Sequence, residues 1–177
     1  KGLREFMNDK PISVDIYEMD KPDVPLWCIW AIQQYAKKAG KVRCKELYGT
    51  FLHDIIDYLA TDKHPNLVLD ENGLLYADAK GEAITWMNSM NNGQPVVPRS
   101  GYIVEFNALW YNALRFVATI ERESGNEEYA EKLDTLADKC KASFIDTFLN
   151  EYGYLYDFVD GKMIDWSVRP NMVFAVA

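Results

Sequence analysis

Aromatic side chains are the residues of this sequence best suited to contact a ligand. The chain of 177 residues contains 5 Trp, 11 Tyr and 8 Phe, together 14% of the sequence. An aromatic face stacks on the apolar C–H face of a sugar ring, although the same residues also fill helical cores. Trp86 falls in a loop-forming stretch and is the best stacking candidate, and Trp27 is the next. Trp30 and Trp110 fall on helical stripes, so we expect them in the core.

Histidine and cysteine, the common metal ligands and nucleophiles, show no catalytic spacing. His53 and His64 have no partner at the spacing of a metal site or a catalytic triad. The three cysteines, Cys28, Cys44 and Cys140, lack CxxC spacing, so we expect free thiols. We therefore expect no metal and no cofactor, and free thiols favour a cytoplasmic location.

The bulk composition narrows the classes of partner. The chain is 49% hydrophobic and 26% charged, which is typical of a globular protein. Its net charge of −8 argues against a nucleic-acid partner, because phosphate binding needs clustered Lys and Arg. No apolar run reaches the roughly 20 residues of a membrane span, so we expect no membrane partner.

Apolar residues recur at helical spacing in four segments. The first is predicted to begin at Pro25, which suits an initial turn, and to end at Gly40. The second covers about 41–62, the third about 103–124 and the fourth about 127–148.

The connections between these helices are long and contain strand and turn signals. Asn72 and Gly73 separate two short apolar runs within residues 67–78, which predicts a β-hairpin. Residues 79–101 are rich in Gly and Pro and are predicted to form a long loop of functional importance. EYGYLYDFVDGK predicts a second hairpin, and RPNMVFAVA opens another helix. Residues 1–24 lack a period and are predicted to form an irregular entry segment.

Three segments resemble the C-terminal glucosidase domain of glycogen debranching enzymes. They are DVPLWCIWAIQQY at 23–35, LLYADAKGEAITWMNSMNNGQPVVPRSGYIVEFNALWYNAL at 74–114 and DWSVRPNMVFAV at 165–176. The middle segment is the most specific, because TWM followed by a PR-x-G turn and VE-x-NALWYNAL is difficult to reach by chance. The similarity covers most of the chain from Asp23 onward.

The resemblance implies an all-α fold for residues 25–177. The expected architecture is a partial (α/α)6 toroid of antiparallel helix pairs, with small β-hairpins in the connecting loops. Four helices and the start of a fifth are fewer than such a toroid contains, so we expect a fragment or a shortened relative. The apolar stripe of the last pair would then lack a neighbour, which predicts self-association through open barrel edges. The stripe residues are Leu133, Leu136 and Phe144.

The implied activity is hydrolysis, with inversion, of the α-1,6-linked glucose at a trimmed branch of glycogen or a related α-glucan. Inversion needs two carboxyl groups roughly 6.5–9.5 Å apart, one as general acid and one as general base. The family places its acid, an Asp, after TWM, and this sequence has Asn88 there. An amide is not a proton-donating acid. The family base lies well C-terminal of the RPN segment, beyond Ala177, so we expect the isolated chain to be inactive.

Several other positions match the family and are candidates for sugar contacts. The carboxylate of Asp23 can accept hydrogen bonds from sugar hydroxyls or interact with a helix dipole. Arg99 can donate to hydroxyls, or to Glu105 as a brace of the loop, and Glu105 can instead cap its helix. The predicted substrate-binding residues are Asp23, Trp27, Trp86, Arg99, Glu105 and Asn107.

Three functional hypotheses remain at this point. The first is part of a glycoside hydrolase that acts on branched α-glucan. The second is a vestigial carbohydrate-binding module without hydrolytic activity, and Asn88 is the residue that separates these two. The third is a helical protein-interaction scaffold, which would have no need of the long middle loop.

Overall fold

A computed structural model describes residues 21–61 and 63–176 of the chain. The predicted entry segment at 1–24 falls largely outside these residues, and helix already begins at Asp23. Four long helices are present in the described residues, and their order and lengths match the prediction. They are α1 (Asp23–Ala39), α2 (Lys41–Ala60), α3 (Val104–Glu123) and α4 (Glu127–Phe148).

The helices form two pairs, each joined by a tight turn at a glycine. Gly40 has a φ of 88° and separates α1 from α2, and its N–H donates to the carbonyl of Ala36 at 2.9 Å. Gly125, with a φ of 82°, follows the end of α3. Glycine adopts this left-handed conformation without steric cost, so both helices end sharply and the next helix can turn back.

The prediction of an all-α toroid is wrong, because seven strands accompany the helices in the part of the chain that the structure describes. The strands form one antiparallel sheet of five strands, in the order β1-β2-β5-β6-β7, and a separate pair β3-β4. The fold is therefore mixed. The strands are β1 (Leu67–Leu69), β2 (Leu75–Ala77), β3 (Met90–Asn91), β4 (Gln94–Pro95), β5 (Gly101–Ile103), β6 (Phe158–Asp160) and β7 (Met163–Ile164).

Strand β5 is the element that joins the two predicted hairpins into one sheet. Tyr102 pairs with Tyr76 of β2 on one side and with Val159 of β6 on the other. The hairpin at 67–78 is confirmed as β1–β2. The second hairpin is β6–β7, shifted toward the C-terminus of its predicted range. Three residues are too few to show a strand period, so the sequence predicts no strand between the long loop, which ends at 101, and the third helix, which begins at about 103.

One core lies between the helices and the inner face of the sheet. Its largest fully buried side chains include Trp110, Tyr48, Phe106 and Phe148. The stripe of α4 that we expected to be uncovered belongs to this core instead. Leu133 is buried, and Leu136 and Phe144 are partly buried and pack against it.

The last described segment is a short 3-10 helix, η1, over Pro170–Ala175. Proline at its first position has a backbone conformation suited to a helix start, in agreement with the predicted helix opening. No helix among the described residues is long and apolar enough to cross a membrane.

Replacement of Gly101 by Ala should destabilise the protein strongly. Gly101 has a φ of 85°, and a Cβ there would lie 2.4 Å from the carbonyl oxygen of Val159 in the neighbouring strand. Backbone strain of this kind costs about 1–3 kcal/mol, and the clash with β6 adds to it. Gly125→Ala is the matched control, since its φ is 82° but a Cβ there meets no atom within 4 Å. Urea unfolding should show a clearly larger loss for Gly101→Ala, and equal losses would contradict the close packing of β5 on β6.

Candidate functional site

A buried arginine lies at the centre of the polar residues that the sequence singled out. Arg99 is 2% exposed, and the carboxylates of Glu105 and Asp157 beside it are fully buried. Its two terminal nitrogens donate to both oxygens of Glu105, with 2.5 Å between Nη2 and Oε2. Nη2 also lies 3.1 Å from Oδ1 of Asp157, and Nε lies 2.9 Å from Oδ2. Of the alternatives for Arg99, the structure shows the pairing with Glu105.

Three different parts of the chain meet at this arginine. Arg99 ends the long loop before β5, Glu105 lies in the first turn of α3, and Asp157 precedes β6. Pairing of β5 with β6, with a hydrogen bond of 3.1 Å from the Val104 N–H to the Asp157 carbonyl, aligns the two carboxylates. Burial raises the pKa of Glu105, and the hydrogen bonds from Arg99 oppose that rise.

Asp157 continues the network into the C-terminal segment. Its Oδ2 accepts a hydrogen bond of 2.6 Å from Nη1 of Arg169, which also donates to Asp165 at 2.7 Å. Its Oδ1 accepts a hydrogen bond of 2.8 Å from Nδ2 of Asn171, which is fully buried. Sequence reasoning assigned no role to these four residues, although three of them stand in the DWSVRPN segment that carries the resemblance.

Trp86 is attached to the same network by its indole nitrogen. Nε1 donates to Oδ1 of Asn171 at 2.9 Å, while Nδ2 of Asn171 lies 3.2 Å from the sulfur of Met87. The Trp86 side chain is nevertheless 50% exposed. One edge of the ring is therefore held by a buried amide while part of its surface remains available for stacking.

Asp23 and Trp27 lie near the start of α1, where Trp27 contacts η1. Asp23 is mostly buried and receives a hydrogen bond from the side chain of Trp27, and burial raises its pKa. The ring of Trp27 packs edge-on against Phe174 of η1, with 5.0 Å between centroids, and against Trp30 at 6.0 Å. Contacts with η1 thus join the Trp27 region to the network that holds Trp86.

The side chain of Asn107 forms hydrogen bonds with backbone groups of the protein and is not accessible to a ligand. Its Oδ1 accepts a hydrogen bond of 2.7 Å from the Leu75 N–H, and its Nδ2 donates to the carbonyls of Leu75 and Ile103, both at 3.1 Å. The side chain is fully buried. Asn107 therefore binds α3 to strand β2.

Asn88, in contrast, is exposed and lines an open cleft of about 380 Å³. Glu82 is the carboxylate among the described residues that line this cleft, and it lies 3.9 Å from Nζ of Lys21. The polar side chains that line this cleft are thus an amide, a carboxylate and an ammonium group. No cluster of His, Cys, Asp and Glu within the described ranges could hold a metal ion.

Comparison with known proteins identifies the family. The model of the family described as amylo-alpha-1,6-glucosidase matches residues 16–177. The chain belongs to this amylo-alpha-1,6-glucosidase family. Neither the curated proteins nor the solved structures gave a match to the chain. The family is one of glycoside hydrolases of the glycogen-debranching type, which agrees with the resemblance of the three segments.

Loss of the Asp157 charge should destabilise this amylo-alpha-1,6-glucosidase-family chain. Asp157→Asn would leave the buried Arg99 with one carboxylate and remove an acceptor from Arg169. Removal of one partner from a buried ion pair costs about 3–5 kcal/mol. Glu128→Gln, in the exposed pair with Lys132, is the control and should change the unfolding free energy little. Equal urea midpoints for the two variants would show that the buried network contributes nothing to stability.

Proposed function

We propose that this chain binds the trimmed branch end of an α-glucan at Trp86 and the Asn88 cleft, and that it has no general acid at position 88. The observation that carries the proposal is that two accessible residues lie close together in the loop. Trp86 is half-exposed and anchored by Asn171, and Asn88, two residues later, is exposed. A tryptophan held by its edge keeps a face for a glucose ring at little entropic cost. Family membership supplies the class of ligand.

The buried residues act as positioning residues in this proposal. Arg99 and Glu105 are too deeply buried to reach a sugar, and their ion pair fixes the C-terminal end of the loop that carries Trp86. Asn107 fixes α3 on the sheet, and Asp23 holds the ring of Trp27. Of the predicted sugar contacts, Trp86 is the one used in this proposal, while Trp27 packs against Phe174 of η1. Asn88, predicted at the position of the family acid, is added here as a second contact.

Inverting hydrolysis at this site would need a proton donor for the leaving oxygen. An amide at position 88 cannot supply the proton as a carboxylic acid does. Loss of a general acid commonly lowers the rate by about 10²–10⁴-fold. Glu82 lines the same cleft, and its side chain is solvent-exposed.

A vestigial carbohydrate-binding module is the second candidate function. It is favoured by the same Asn88 in an otherwise intact network, because sugar binding needs Trp86 but not an acid. The two candidates differ in whether restoration of the acid restores turnover.

Replacement of Trp86 by Ala should weaken binding of a limit dextrin by roughly three- to tenfold, the size of one aromatic contact. Calorimetric titration of the 177-residue protein measures the affinity. Trp30→Ala is the matched control and should change the affinity less than twofold. Trp30, wrongly predicted to lie in the core, is similarly exposed but is not a proposed ligand contact. Equal affinities for the natural protein and Trp86→Ala would refute the proposed site.

In an intact domain that also supplies the family base, replacement of Asn88 by Asp should increase glucose release from the same limit dextrin by about 100-fold or more. The natural protein should release glucose at the background rate, and Asn88→Gln is the control that adds no acid. If Asn88→Asp also stays at background while binding is retained, the binding-module alternative is correct. Turnover by the natural protein that Glu82→Gln abolishes would reassign the acid to Glu82.

A further inference from the structure

The segment after α4 and the segment after β7 form a cluster of four aromatic rings, which we name the aromatic platform. Tyr152 and Tyr154 lie in the turn after α4, Tyr156 follows that turn, and Trp166 follows β7. We propose that the aromatic platform is a second binding surface for an α-glucan chain, in addition to the Trp86 and Asn88 site.

The rings of the aromatic platform are close together and accessible. Tyr152 is 71% exposed and Trp166 is 44% exposed, while Tyr154 and Tyr156 are half-buried. The Trp166 centroid lies 4.6 Å from that of Tyr156 and 6.3 Å from that of Tyr152. Tyr152 and Tyr154 are nearly parallel, with 6.4 Å between centroids and 20° between planes. Exposure of so many adjoining rings costs solvation energy in the absence of a ligand.

The backbone under the aromatic platform is held rigidly by hydrogen bonds. Oδ1 of Asn150 accepts from the N–H of Tyr152 at 2.9 Å, and the N–H of Asn150 donates to the carbonyl of Tyr154 at 2.9 Å. On the other side, Asp165 accepts from the Ser167 N–H at 2.8 Å and from Arg169 at 2.7 Å, so both flanks of Trp166 are fixed. A surface that is ordered before binding loses less entropy when the ligand arrives.

Ring chemistry and ring orientation favour an α-linked glucan as the ligand. Tyrosine and tryptophan combine a face for sugar C–H groups with a polar atom for hydroxyls. Aromatic platforms also stack nucleic-acid bases, but the net charge of −8 opposes a polyphosphate. Trp166 is tilted by 60° from Tyr152 and by 77° from Tyr156. An α-1,4 chain curves, so its successive sugar faces turn, whereas a β-1,4 chain is flat and needs coplanar rings.

A second surface of this kind would hold a neighbouring chain of a branched polymer. When one polymer binds at two sites, binding at the first site raises the effective concentration of the polymer at the second. The assignment of an α-glucan as ligand rests on the function proposed above, while the aromatic platform itself rests on the ring geometry.

Site-resolved NMR of the natural protein tests the proposal without a mutation that affects folding. Maltopentaose and cellopentaose are titrated, and the indole N–H signals of Trp166 and Trp86 are followed after assignment with Trp166→Phe and Trp86→Phe. Maltopentaose should shift both signals, and cellopentaose should shift the Trp166 signal much less. Tyr152→Ala should weaken the affinity read at Trp166 by roughly three- to tenfold, and the matched variant Tyr152→Phe should retain it.

The outcomes separate the two proposals. A shift of Trp86 without Trp166 overturns the aromatic platform and leaves the proposed function standing. A shift of Trp166 without Trp86 supports the platform and overturns the site at Trp86 and Asn88, and no shift of either signal overturns both. Equal responses to the two sugars overturn the α-glucan selectivity. If Tyr152→Ala changes only the oligomeric state measured by light scattering, the platform is a protein interface and the proposal is wrong.

Discussion

The arrangement of the candidate site depends on the buried guanidinium of Arg99 between the carboxylates of Glu105 and Asp157. Charged groups leave water only when opposite charges and hydrogen bonds replace the lost hydration. Because the three groups come from the long loop, α3 and the start of β6, these parts of the chain must meet before any of the charges is compensated. The buried pair therefore selects one position for the end of the loop.

The same network extends to the surface through one amide. Asn171 accepts a hydrogen bond from Trp86 while it donates to Asp157, so the orientation of an exposed ring is coupled to a buried charge. The helix η1, which contains Asn171, also packs Phe174 against Trp27. The short helix η1 thus connects Trp86 and Trp27, the two tryptophans that the sequence predicts as stacking residues.

Two kinds of aromatic surface serve the proposed recognition of a branched α-glucan. Trp86 is held as a single ring by Asn171, and Asn88, two residues later, lines an open cleft. The aromatic platform instead groups four rings on two hydrogen-bonded turns. Two separate surfaces suit a polymeric ligand, because the branch end can bind at one surface while another part of the polymer binds at the other.

The sequence by itself determined the four helices, the hairpin at Asn72–Gly73 and the family, because helical periodicity, turn chemistry and motif order are local properties. It also marked Trp86 and Asn88 as loop residues, and both are exposed. Only the tertiary structure decided that β5 joins two hairpins into one sheet, since three residues carry no period and their partners are distant in sequence. It likewise decided that Arg99 and Glu105 are buried and that Asp157 and Asn171 complete their network. An ion pair depends on which residues meet in space, and the order of residues along the chain does not contain that information.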